Sequence, residues 1–316
     1  MYSRYNILLL FVSILILIVI VWYANPYTIF SIILNANIIL VLSAFIVSNI
    51  AICVQVIKWQ VLLKNINFKE LFPIQLLGIT ISNFTPGKIS EPIKAILLKL
   101  KNSKSVSETL PSIIWERIMD ISVIVLLSLF TIQFMVLEVN IYLLSLISII
   151  VLITIVFFLC MILFSRKFGF LIFKILIKFP VLKKMTSEFL ETFYKSKISN
   201  YRLFASLMLS FSTWLLYGFV FYLSLLALGT DISPFLIAGI LSLSTIIGVA
   251  SSLPGGIGST DAVMILLLNI IGVERNISVA GVLIARFLSL WYGIFLGGLS
   301  FIYLSKRIEM KNIIKL

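Results

Sequence analysis

The sequence predicts an all-α, polytopic membrane protein: about six full transmembrane helices plus two re-entrant helical hairpins, related as an inverted-topology repeat. Three observations predict it. Apolar residues make up 61% of the 316 and charged residues only 12%, more apolar surface than a soluble core of this length hides. The apolar residues fall into runs of the ~20 residues that cross ~30 Å of hydrocarbon. Lysine and arginine gather in alternate connections, as the positive-inside rule requires.

The first run, 7–23, ends in Trp22 and Tyr23, an aromatic pair suited to the membrane–water interface. No small-residue cleavage site follows, so it reads as a retained helix rather than a signal peptide. Full spans are expected over 38–57, 112–137, 141–164, 203–228 and 278–305. Two more apolar segments, 71–98 and 235–271, are interrupted midway, and neither half is long enough to cross. Arg4 precedes the first span and the connection 24–37 carries no basic residue, which puts the amino terminus in the cytoplasm. Lys58, Lys64 and Lys69 precede the first broken segment and Lys99, Lys101 and Lys104 follow it, so it enters and leaves by the cytoplasmic face. The connection 166–202 has nine basic residues and 229–234 has none. The tail, with Lys306, Arg307, Lys311 and Lys315, is then cytoplasmic too, and the second broken segment dips in from outside.

On this topology 22 of 25 basic residues lie at the cytoplasmic face, so the net charge of +13 reflects orientation and anionic inner-leaflet lipid rather than nucleic acid. The chain reads as one multi-pass cell-membrane domain, 1–316. It comprises a first half (1–164), a basic linker (165–202) and a second half (203–316). The linker contains RKFGFLIFKILIKF, whose apolar residues recur at helical spacing, as in an interfacial helix.

The two interruptions match each other. Pro86-Gly87-Lys88-Ile89-Ser90 aligns with Pro254-Gly255-Gly256-Ile257-Gly258 at an offset of 168 residues. Arg117 follows the first proline by 31 residues and Arg286 follows the second by 32. Opposite entry sides make the pair an inverted repeat. Proline lacks a donor and glycine tolerates unusual backbone angles, so each pair ends a helix at membrane depth and frees backbone groups. Such groups are tolerated where they are buried in protein or line a water-filled cavity. The competing reading is a pair of kinked spans whose Ser and Thr side chains repair the backbone.

The run NFTPGKISEPIKAILL (83–98), then WERIMDI (115–121) and SSLPGGIGSTDA (251–262), resembles the flippase-like membrane domain of lysylphosphatidylglycerol synthases and its free-standing relatives, over essentially the whole chain. That resemblance implies movement of a lipid between leaflets, without the soluble aminoacyl-transferring domain and hence without its enzymatic activity. Some relatives are linked by analogy to polyprenyl-phosphate sugar export.

Charges inside the membrane are the candidate substrate-binding residues, because each costs about 2.5–3.5 kcal/mol at a helix centre. Arg117 and Asp120, three apart, share a helix face and can pair, with Glu116 one residue round. They read either as a snorkelling pair that fixes helix depth or as a headgroup site in which Arg117 holds phosphate. Glu91 and Lys94 occupy the returning arm of the first hairpin, where Glu91 also suits a helix start. Lys88 is a positive charge at the hairpin tip, or a lysine reaching for the inner face. Asp261 begins an arm of the second hairpin and reads equally as a helix cap. Arg286, two turns into the last span, needs a partner, and Asp261 is the expected one.

Absences narrow the chemistry. Without histidine there is no histidine triad and no imidazole metal site, and Cys53 and Cys160 have no metal-ligand spacing. The PGKIS run lacks the spacing of a nucleotide-binding loop, so no cofactor is expected. A buried carboxylate such as Glu91, Asp120 or Asp261 offers a route to proton coupling that nothing in the sequence requires. The leading expectation is a lipid translocase that shelters a phospholipid or polyprenyl-phosphate headgroup in a polar groove. The alternatives are an intramembrane lipid transferase and a scaffold for a separate lipid-modifying enzyme. The lipid, the direction of transport, the coupling ion and any oligomer stay open.

Overall fold

The computed structural model describes residues 4–63, 66–85, 90–102, 105–139, 150 and 198–307. These residues are helical, with no strand among them. The helices are α1 (Arg4–Tyr23), α2 (Pro26–Leu34), α3 (Ile38–Leu62), α4 (Phe68–Asn83), α5 (Ile93–Asn102) and α6 (Val106–Val139). They continue as α7 (Asn200–Leu226), α8 (Pro234–Ala250), α9 (Ser259–Ile270), α10 (Arg275–Arg286) and α11 (Tyr292–Ser305). A π-helical turn, Phe287–Trp291, joins α10 to α11.

Among the described residues three helices are long and apolar enough to cross a bilayer, α3, α7 and the continuous α10–α11 rod of 31 residues, and the bent pair α1–α2 is so only when taken together. The expected span over 112–137 lies within α6, a helix of 34 residues, about 51 Å at 1.5 Å per residue. The expected span 141–164, the hairpin tip Pro86, Gly87 and Lys88, and nearly all of the linker 165–202 fall outside the described residues.

One connection differs from expectation. Residues 24–37, read as a plain loop, contain α2, which is bent by 83° from α1. Asn25 adopts a φ of 57° and accepts a hydrogen bond from the Thr28 amide, while Pro26 opens the new helix. A capping asparagine followed by proline at the first helical position restarts a helix in a new direction.

The interrupted segments are helix pairs broken where the sequence places the break. α4 and α5 flank the first and pack together; α8 and α9 flank the second, with a 3-10 turn at Pro254–Gly256 between them. Each pair has its own core. Trp59, Leu71, Ile74, Leu97 and Ile113 pack around α4–α5, and Phe221, Ile237, Ile240, Met264 and Val282 around α8–α9. Ala44, Val220, Leu223, Ile284 and Leu288 join the halves where α3 and α7 lie alongside each other and meet the last helix. Burying apolar side chains against lipid tails gains little, so close backbone approach matters more here than in water. A Cβ on Gly218 of α7 would stand 2.6 Å from the Ala238 Cα of α8. On Gly298 of α11 it would meet nothing within 4 Å.

Gly218→Ala should therefore lower stability by about 1–3 kcal/mol through overpacking. Gly298→Ala should be neutral or stabilising by up to about 1 kcal/mol, because it removes helix-interior glycine freedom. Thermal unfolding of the two variants in detergent checks the contrast.

Candidate functional site

Polar side chains in an apolar protein must be satisfied from within, and hydroxyls do this locally. Thr213, Thr245 and Ser289 each donate to the carbonyl four residues earlier on their own helix. Buried charges need partners from other elements, and the positions of those partners build the site.

In the first half, six charged residues form one network. Lys94 of α5 is wholly buried and lies 2.7 Å from Glu116 Oε2, 2.9 Å from Glu91 Oε1 and 3.1 Å from Gln75 Oε1. Its ammonium also sits 4.8 Å over the Trp59 ring, a cation–π contact. Lys58 of α3, equally buried, is 2.6 Å from Asp120 Oδ1 and 3.6 Å from Glu116 Oε1. Gln75 donates to Glu116 and Ser210 of α7 donates to Asp120, so both carboxylates have neutral donors as well. Arg117 is ion-paired with Glu91. Three cations, Lys58, Lys94 and Arg117, thus meet three carboxylates, Glu91, Glu116 and Asp120, and the cluster is neutral.

The second half is simpler. Arg286 closes α10 and donates from Nε to Asp261 Oδ1 at 2.5 Å and from Nη2 to the carbonyl of Gly256 at 3.2 Å. Asp261 uses its other oxygen to accept the Gly258 amide at 2.9 Å. It is both the helix cap and the arginine's partner. Gly255, Gly256 and Gly258 have φ values of 63°, 64° and 82°, conformations in which other residues are strained. The glycines let the turn aim a carbonyl at Arg286.

A hydroxyl pair clasps each break. Thr85 and Ser90 are 2.9 Å apart across the first, and Ser251 and Ser259 are 2.8 Å apart across the second. The breaks also approach each other: a Cβ built on Gly255 would lie 3.5 Å from the Asn83 carbonyl at the end of α4. Between the halves lies a cavity of about 170 Å³. Arg117, Asp120 and Asn83 reach it from the first half; Thr213, Tyr217, Thr245 and Arg286 reach it from the second.

Of the two partners the sequence offered each other, Arg117 forms its ion pair with Glu91 and Asp120 with Lys58, because the adjoining elements bring a closer partner to each. Glu116 and Asp120 are buried among helices at 1% and 4% exposure, while Arg117 keeps 29% of its side chain exposed. Lys58 and Lys94 are both network members with no exposure. Arg286 does pair with Asp261, as expected. Gln75, Ser210 and Tyr217 were not anticipated. A signal for Lys58 was present, since Gln55 and Lys58 stand three apart within an apolar helix and mark a polar stripe on α3.

Broken apolar helices around a centre of buried, ion-paired charges define a polytopic helical membrane protein. The family model for the lysylphosphatidylglycerol synthase TM region matches residues 10–297, and the chain belongs to that family. It is 28% identical to a UPF0104 membrane protein of Methanothermobacter thermautotrophicus, with 89% of this chain and 90% of the relative covered. It is 25% identical to one of Pyrococcus horikoshii, with 92% and 95% covered. For one of Methanocaldococcus jannaschii the identity is 24%, with 96% of each chain covered.

Removing one partner of a buried ion pair strands the other. Lys58→Met should cost about 3–5 kcal/mol. Pairing it with Asp120→Leu should restore much of that loss. Unfolding in detergent across the double-mutant cycle checks this, and simple additivity of the two losses would contradict the pairing.

Proposed function

We propose that the protein is a lipid translocase that moves a lipid with a phosphate-containing headgroup between leaflets. The observation that supports this best is the pair of arginines, Arg117 and Arg286, one from each half, lining a single cavity beside the two helix breaks. A guanidinium forks onto phosphate with up to two parallel hydrogen bonds, and each arginine is held in place by a carboxylate behind it. The acyl or prenyl tails stay in the hydrocarbon while the headgroup crosses through the cavity. The two broken pairs act as opposed re-entrant hairpins of an inverted repeat, one entered from each face, with Lys88 at a tip. Both termini are cytoplasmic and the cell membrane is the site of action. On this reading the chain is a transporter rather than an enzyme. Its partners are phospholipid or polyprenyl-phosphate lipids, and a separate lipid-modifying enzyme supplies the cargo.

The test is leaflet exchange of fluorescent phospholipids and of a polyprenyl-phosphate sugar in proteoliposomes. A charge-assisted hydrogen bond contributes about 1.5–3 kcal/mol, so Arg117→Ala and Arg286→Ala should each slow exchange roughly 10- to 100-fold at matched reconstitution. Unchanged exchange in both variants would remove the arginines from the path. Product formation in detergent with no change of leaflet would make the protein a transferase instead.

A further inference from the structure

The two charge sites differ in what remains when an arginine turns to a phosphate. In the first half every carboxylate keeps a lysine: Glu91 keeps Lys94, Glu116 keeps Lys58 and Lys94, and Asp120 keeps Lys58. Neither lysine lines the cavity, so a ligand there does not draw them away. Asp261 has no such reserve. Among the described residues its single ion-pair partner is Arg286, and Arg286 faces the cavity while Asp261 lies behind it at 4% exposure. Both sites are neutral as they stand. A phosphodiester on Arg286 would bring the second site to a net charge of −1 and leave Asp261 with one backbone amide as its remaining polar contact.

Among the described side chains, the elements around α9 supply no substitute cation. α8 and the Pro254–Gly256 turn contain no titratable side chain, and α10 has only Arg275 and Arg286. Arg275 is occupied elsewhere, 4.4 Å over the Tyr23 ring. The titratable residues of α1 are Arg4, Tyr5 and Tyr23, and Tyr23 lies under that arginine. A buried uncompensated carboxylate takes up a proton rather than remain charged.

We infer that Asp261 is a proton-binding site coupled to the phosphate site: when the headgroup takes Arg286, one proton from water binds the Asp261 carboxylate. The inference rests on the headgroup reading above. Charge balances, since the phosphodiester brings −1 and the proton +1, and no covalent bond of the lipid changes. The exchange makes cargo binding electroneutral and lets a proton gradient bias its direction. Protonated Asp261 keeps an oxygen for the Gly258 amide, so the cap survives while the arginine is released.

The experiment is calorimetric titration of the full chain in detergent with dioctanoyl phosphatidylglycerol, whose phosphodiester stays ionised throughout, in buffers of different ionisation enthalpy. Wild type should take up about one proton per lipid, and affinity should fall as pH rises, by up to about tenfold per pH unit. Asp261→Asn, which mimics the neutral acid, should bind with near-zero uptake and no pH slope. If wild type binds, Arg286→Ala does not, and no proton is taken up, the proton site is wrong and the headgroup reading stands. Equal uptake by Asp261→Asn also overturns it by locating the proton elsewhere. No binding to wild type overturns both.

Discussion

The requirement that every buried charge be neutralised by a partner from another element organises this protein. A lone charge in a low-dielectric surrounding costs several kcal/mol, and apolar packing among helices in a bilayer offers little to offset it. Lys58, Lys94, Glu91, Glu116 and Asp120 therefore fix the arrangement of α3, α4, α5, α6 and α7 more strictly than the leucines and isoleucines around them. A shift of α3, α5 or α6 by a turn would strand at least one ion, and a shift of α4 or α7 would remove the neutral donor Gln75 or Ser210. Arg286 and Asp261 impose the same requirement on α9 and α10.

That constraint also explains why the helices break where they do. A straight helix through the middle of the protein would satisfy its own backbone and leave nothing for the arginine. The turn at Pro254–Gly256 frees carbonyls, and Arg286 collects them together with the carboxylate of Asp261. In the first break the freed ends are clasped by Thr85 and Ser90, and the following residue, Glu91, meets both Lys94 and Arg117. Each break thus supplies an anionic or carbonyl ligand to an arginine that lines the central cavity, which ties backbone conformation to whatever the arginine holds. The two sites are not equivalent. The first is a redundant six-charge cluster, the second a single pair.

Much of the architecture was legible in the sequence. The helix break at Pro254-Gly255, the apolar spans over α3, α7 and α10–α11, and the Arg286–Asp261 pair all follow from apolar run length, breaker chemistry and the cost of a lone embedded charge. What escaped was partner choice in the first half. Neighbours at i and i+3 on one helix share a face and can pair, yet Arg117 and Asp120 each found a closer partner on another element. Charge counting also counts by position along the chain, so Lys58 at the end of an apolar segment passed for a solvated residue although helical phase turns it inward. The bend at Asn25–Pro26 was visible as capping chemistry but was masked by a rule that reads short connections without basic residues as loops.

The central claim is that the space between the two neutral charge sites is a watery path for a headgroup, bounded by apolar surface that faces lipid. Thiol chemistry reports this directly, since the reactive thiolate forms in water and not in hydrocarbon. In a background without Cys53 and Cys160, Thr245→Cys on the cavity wall and its neighbour Ile246→Cys, which is turned outward, present thiols one residue apart on α8. The measurement is the rate of labelling of each by a small charged methanethiosulfonate in sealed proteoliposomes. Fast labelling at 245, slowed by short-chain phosphatidylglycerol, with little at 246, is the predicted result. Labelling at 246 but not at 245, or none at either, would contradict a wet path between the halves.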